Sequence, residues 1–203
     1  MAEINRGSLG LSAGRLFQIF RDGQPHTKAE LAELTGLARS TISLRLDPLI
    51  NLGMIAPAAE NSSTGGRPSA QLVLTESKYV VAGVDFGASH AVASLANFSG
   101  KILVSIETKR QISDGPEVCL RWMIAELKHL LAGQGLSEDN LLAIGIGLPG
   151  PVEHSTGKPA SPPIMMGWDG FDVPARVNQE FKAKVLVDND VNVMALGERH
   201  VAY

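Results

Sequence analysis

Up to Leu52 the apolar positions recur at helical spacing: Leu16, Ile19 and Phe20, then Leu31 and Leu34, then Ile42, Leu46 and Leu49. Between Pro57 and Ser69 the run PAAENSSTGGRPS has no period and reads as a loop, flanked by the short strand-like runs MIAP and QLVLT. From Tyr79 the pattern changes to alternation, in YVVAGVDF, HAVASLANF and KILVSIET, broken by GAS and SG turns. An amphipathic helix is predicted from about Pro116 to Ala132, followed by the buried strand LLAIGIGLP and a Pro/Gly-rich loop from Gly150 to Gly170. A short helix near Pro174–Phe181, the strand KVLVDN and a last helix from near Val191 complete the chain. The order after Tyr79 is β-β-β-α-β-α-β-α. The two patterns predict two domains, 1–77 and 78–203, and a mixed α/β fold.

Composition adds constraints. Apolar residues make up 44% of the 203 residues and charged residues 19%, as in soluble globular proteins. No run reaches the roughly 18 apolar residues of a membrane span, and the first residues lack the apolar centre of a signal peptide. The single cysteine, Cys119, excludes an intramolecular disulfide. Together these set the expectation of a cytoplasmic protein that makes no membrane contact. Net charge is −3, divided as +1 over residues 1–75 and −4 over the remainder. The first segment is therefore not a basic domain, and any DNA contact depends on where its few arginines sit.

Thr27-Lys28-Ala29-Glu30 has the form of a capping box, and Gly36 supplies the positive φ that ends a helix. A second helix, about Arg39 to Leu52, stops at Gly53. Two helices joined this way form a helix-turn-helix or a plain helical hairpin. At 100° per residue Ile42, Leu46 and Leu49 share a buried stripe, while Ser40, Ser43, Leu44 and Asp47 point away and Arg39 and Arg45 flank the exposed face. Short hydroxyl residues (Ser40, Thr41, Ser43) between arginines suit entry into a major groove, with Leu44 against a thymine methyl or simply a surface leucine. Arg67, in Gly65-Gly66-Arg67-Pro68, stands at a loop tip that fits a minor groove or is an ordinary turn.

Three further runs carry chemistry. Asp85-Phe86-Gly87-Ala88-Ser89 is a hairpin turn, or a phosphate cradle of backbone N–H groups with Asp85 placed to hold a hydrated metal ion. Gly145-Ile146-Gly147-Leu148-Pro149-Gly150-Pro151-Val152 ends a buried strand in a rigid loop. Asn189 and Asp190 stand between a strand and a helix, where they cap the helix or face a ligand.

The segment TKAELAELTGLARSTISLRLDPLINLGMI, with GGRPSAQLVLT after it, resembles the winged helix-turn-helix of ROK regulators (repressors, open reading frames and sugar kinases). The GIGLPGPV run resembles the family's GIGxPGPV signature, and Asn189-Asp190-Val191-Asn192 with Ala195-Leu196-Gly197-Glu198 resembles its Asn-Asp-Ala-Asn…Ala-Leu-Gly-Glu motif. The resemblance covers essentially the whole chain. It implies a winged helix-turn-helix followed by one actin-like, RNase H-like sugar-kinase lobe, the family's second lobe lying beyond residue 203. It implies sugar contacts from Gly150, Asn189 and Asp190, with Asp190 matching the general base of the kinases. Asp85, Gly87 and Ser89 become the remnant of a phosphate loop in which Ala88, Ser89 and His90 replace the usual Gly, Thr and Lys. Two more departures are Ala38, where a capping Ser or Thr is usual, and Ile164, where Asn is frequent. Pro48 inside the second helix predicts a kink, and Trp168 is either a sugar flank or a core residue.

The expectation is a ROK repressor that binds double-stranded DNA as a homodimer and, at full length, answers to a sugar or sugar phosphate, with no metal, no cofactor and no catalysis. The rival readings are an ATP-dependent hexose kinase with an added N-terminal domain, and a half-domain that only dimerises.

Overall fold

The computed structural model describes residues 13–58, 70–75 and 79–201. The chain divides into two compact units, Met1–Ser77 and Lys78–Tyr203, and the fold is mixed α/β.

The first unit contains α1 (Ala13–Ile19), a single 3-10 turn (Phe20–Asp22), β1 (His26–Thr27), α2 (Lys28–Thr35), α3 (Arg39–Asn51), β2 (Ile55–Pro57) and β3 (Gln71–Leu74). The helices share one core of Leu16, Phe20, Leu31, Ile42, Leu46 and Leu49, joined by Ile55 and Leu72 from the strands. This is the helical period of the sequence made physical. Leu34, grouped with Leu31 on spacing, instead lies 65% exposed. The capping box forms: Thr27 Oγ1 accepts the Glu30 N–H at 3.1 Å, and the Glu30 carboxylate accepts the Thr27 N–H at 2.7 Å. Gly36 ends α2 at φ 70°, its N–H donating to Ala32 O. Pro48 does not stop α3, which continues to Asn51.

One strand was not predicted. β1 pairs antiparallel with β3 through His26↔Leu72 and Thr27↔Gln71, so the sheet has three strands in the order β1-β3-β2. Gly65, Gly66, Arg67 and Pro68 lie outside the described residues.

The second unit is built on β4 (Val80–Phe86), β5 (His90–Ala96), β6 (Ile102–Lys109), β7 (Leu141–Leu148) and β10 (Lys184–Asn189), in the order β10-β7-β4-β5-β6. β4, β7 and β10 are parallel, whereas β4, β5 and β6 form an antiparallel meander. Alternation places Ala82, Val84 and Phe86 of β4 and Ala91, Ala93 and Leu95 of β5 in the core. α4 (Pro116–Gly133) covers them with Leu120, Met123, Leu127 and Leu131. Trp168 is fully buried and donates its indole N–H to Ile112 O at 3.0 Å, which settles it as a core residue. Cys119 is also fully buried, and burial pushes its thiol pKa up to about 11.

The loop from Gly150 to Gly170 holds a small hairpin absent from the predicted order, β8 (Val152–Glu153) with β9 (Lys158–Pro159). α5 is also shorter than predicted, Val173–Val177, because the Asn178 amide turns the chain by donating to Phe181 O and Ala183 O at 3.0 and 2.8 Å. α6 runs from Asp190 to Val201.

Thr27→Ala removes an N-cap acceptor from a buried position and is expected to cost about 1 kcal/mol of stability. Urea unfolding followed by circular dichroism measures it, and an unchanged midpoint would show that the box does not stabilise α2.

Candidate functional site

The turn between α2 and α3 is three residues, Gly36 to Ala38. It is tied from both sides: Thr35 Oγ1 donates to Leu31 O at 2.6 Å, and Lys28 Nζ donates to Ser43 Oγ at 3.0 Å. Ile42, Leu46 and Leu49 anchor α3, leaving Arg39, Ser40, Leu44 and Asp47 exposed, with Leu44 at 72%. Thr41 and Ser43 are half-buried, Ser43 occupied by its bond to Lys28. Arg45, expected to flank the exposed face, is half-buried, with one Nη atom buried and without a hydrogen-bond partner among the described residues. No side chain caps the start of α3 at Ala38.

In the second unit the parallel strands deliver their C-terminal ends to one edge of the sheet, where ligands of open α/β sheets bind. Asp85, Gly147 and Asp188 form a single row across β4, β7 and β10. Asp190 begins α6 immediately beyond. Gly147 lacks the side chain that would separate these groups: a Cβ there would lie 2.9 Å from Asp85 Oδ1 and 3.6 Å from Asp190 Cα. Gly150 is similarly confined, since a Cβ would meet Met165 Sδ and Pro162 Cβ at 2.9 Å.

The sequence grouped Asn189 with Asp190, and the structure separates their work. The Asn189 amide donates to Gly150 O at 3.1 Å and Leu148 O at 3.4 Å, while its Oδ1 accepts the Val191 N–H at 3.0 Å. Asn189 thus holds the loop and caps the helix. Asp190 accepts only the Val191 N–H, at 2.8 Å, leaving its second oxygen unspent among the described residues. Asp188, part of the same polar run but given no role on sequence, accepts the Asn189 N–H at 2.7 Å and the Asn192 amide at 2.9 Å, and lies 3.4 Å from His154. The Asn192 bond does most to hold its pKa below the ordinary aspartate value. Its Asp-x-x-x-Asn spacing at a strand end was the only signal available.

At the first turn, the Gly87 N–H donates to His90 O at 2.9 Å. The His90 ring lies over Gly87 so closely that a Cβ would come 2.3 Å from its Cε1, and its Nε2 stands 4.0 Å from Asp85 Oδ2. Ser89 is exposed. An imidazole therefore fills the space directly beside Gly87. Among the described residues no cluster of His, Cys, Asp or Glu is arranged to hold a metal ion, and no helix is long and apolar enough to cross a membrane.

The ROK family model matches residues 81–203, the strand-end site included. The chain belongs to the ROK family. It is 26% identical to the xylose repressor of Bacillus subtilis over 175 residues, covering 86% of this chain and 45% of the repressor. It is 22% identical to the N-acetylglucosamine repressor of Escherichia coli over 191 residues, 94% of this chain and 46% of that protein. The glucokinase of Halalkalibacterium halodurans is 32% identical over 116 residues, 57% of this chain and 35% of the enzyme. In fold, a crystal structure of a ROK family transcriptional regulator, a homolog of the E. coli MLC protein, superposes with a TM-score of 0.77 at 21% identity, over 93% of this chain and 47% of that one. The chain thus spans about half the length of the ROK relatives it matches.

Burial, then the Asp190 charge, raises the Asp85 pKa, with His90 opposing. The folded chain therefore holds the Asp85 proton more tightly than the unfolded chain, and Asp85 weakens the fold as pH rises through its range. Asp85→Asn is expected to raise Tm at neutral pH, with the gain vanishing near about pH 3, below the unperturbed aspartate value. Scanning calorimetry across that interval decides it; a gain independent of pH would remove charge as the cause.

Proposed function

We propose that this ROK chain is the DNA-reading part and first actin-like lobe of a sugar-responsive transcriptional repressor. The observation that carries the reading is where similarity extends. The two repressors match 86% and 94% of the chain, first unit included, whereas the glucokinase matches 57%. On this reading α2, its glycine turn and α3 are a helix-turn-helix, and β2 and β3 are the base of a wing whose sequence includes Arg67.

α3 enters a major groove with Ser40 and Thr41 near base edges and Leu44 against a thymine methyl, while Arg39 reaches a phosphate. Ser43 acts by locking α2 onto α3. Arg45 serves from a half-buried position, steering more than reaching. A homodimer would place two such helices in successive major grooves of a two-fold operator. In the second unit Asp190 accepts a sugar hydroxyl, Asn189 fixes the Gly150 loop beside it, and Asp85, Gly87 and Ser89 remain from a phosphate loop. A sugar that favours one arrangement of the dimer changes DNA affinity by linkage.

A kinase reading draws on the nearness of Asp85 and Asp190, the pairing a phosphoryl-transfer site would use. The imidazole over Gly87 opposes it. ATP-dependent phosphorylation of a hexose, abolished by Asp190→Asn, would reverse the preference.

Selection from a random duplex library, then gel-shift with the enriched duplex, tests the proposal. Arg39→Ala and Arg67→Ala are each expected to weaken binding by about 1–2 kcal/mol and to lower the salt slope by about one. Arg45→Ala is expected to weaken it less. Failure to enrich any duplex, or affinity unchanged by all three substitutions, would defeat it.

A further inference from the structure

We propose that the second unit carries a second binding site, for a phosphorylated sugar, beside the β5–β6 hairpin and separate from the strand-end row. A cavity of about 510 Å³ opens there, lined among others by Ser89, His90, Lys109 and Arg110. That volume lies within the range of small-molecule sites.

The cations are only partly engaged. His90 and Lys109 are cross-strand partners, and directly opposed side chains stand about 4.5–5.5 Å apart at Cβ. Lys109 forms no ion pair among the described residues. Arg110 has its guanidinium carbon 5.6 Å from the centre of the Trp122 ring and its nearest carboxylate, Asp114, at 3.9 Å. Its Nε is buried without a partner. The Ser89 carbonyl accepts the Arg110 N–H at 3.2 Å, which fixes the turn against this arginine while the hydroxyl makes no bond among the described residues. A hydroxyl, an ammonium and a guanidinium thus line one cavity, and a phosphate's oxygens take up such donors through charge-assisted bonds.

The remaining lining sets the class. Glu107 stands two residues before Lys109 on the same strand, and Asp114 one turn after Arg110, so carboxylates bracket the cations. Ionised carboxylates accept hydroxyl hydrogens and repel additional negative charge. The set therefore fits one phosphate on a polyhydroxylated body and disfavours a triphosphate. His90 is the partition. Its ring lies over Gly87, 4.0 Å from Asp85 Oδ2, and the residue also lines the cavity.

This site is independent of the DNA reading, and its test needs no DNA. The full chain is titrated with glucose 6-phosphate, glucose and inorganic phosphate at fixed ionic strength. Tryptophan emission provides the signal, because Trp122 lies under Arg110 and the only other tryptophan, Trp168, is buried. Glucose 6-phosphate is expected to give a saturable change at a concentration roughly tenfold below either of the other two. Lys109→Ala and Ser89→Ala, both at exposed positions outside the core, should each weaken it by roughly fivefold or more. Three results overturn the proposal: no saturable change, affinity untouched by both substitutions, or inorganic phosphate binding as tightly as the sugar phosphate. Binding lost in Asp190→Ala but intact in Lys109→Ala would return the ligand to the strand-end row and equally reject this site.

Discussion

At the ends of β4, β7 and β10 a position without a side chain, Gly147, lies between Asp85 and Asp190, and the polar edge of the second unit is arranged around that gap. Any Cβ there would displace the Asp85 carboxylate, whose Oδ1 lies 2.9 Å from where it would sit. With the gap open, two acidic groups face one another at a sheet edge, and burial, followed by their repulsion, holds the Asp85 proton. Asn189 then ties the same edge to the Gly150 loop. A row of this kind has little tolerance: moving one strand by a residue would take Asp85 and Gly147 to opposite faces.

Within the ROK family the same lobe serves proteins named as repressors and proteins named as kinases. In this chain one imidazole is folded over Gly87 at the end of β4. The strand-end row keeps Asp85 and Asp190 all the same.

How much could be read beforehand follows from what each signal measures. Period-two alternation located β4, β5 and β6 to within a residue or two, because a half-buried strand must alternate. The Thr27–Glu30 box and Gly36 were equally legible, since their chemistry is local. β1 was not, because two residues carry no period and Thr27 was already accounted for as a cap. The β8–β9 hairpin escaped for the same reason. At the candidate sites residue identity survived better than role. Asn189 and Asp190 were both singled out, yet which of them bonds backbone depends on carbonyls of Leu148 and Gly150, some forty positions earlier in the chain. Arg45 and His90 show the other limit, for a helical wheel gives a direction and not the course of a long side chain or a ring.

Cys119 has a practical consequence. Thiols react as thiolates, and this one is enclosed in the core with its ionisation suppressed. It is also the chain's single cysteine. An alkylating reagent therefore reaches sulfur only in molecules whose α4 layer has opened, so the pace of labelling becomes a clock for breathing of that layer, with no probe to be introduced.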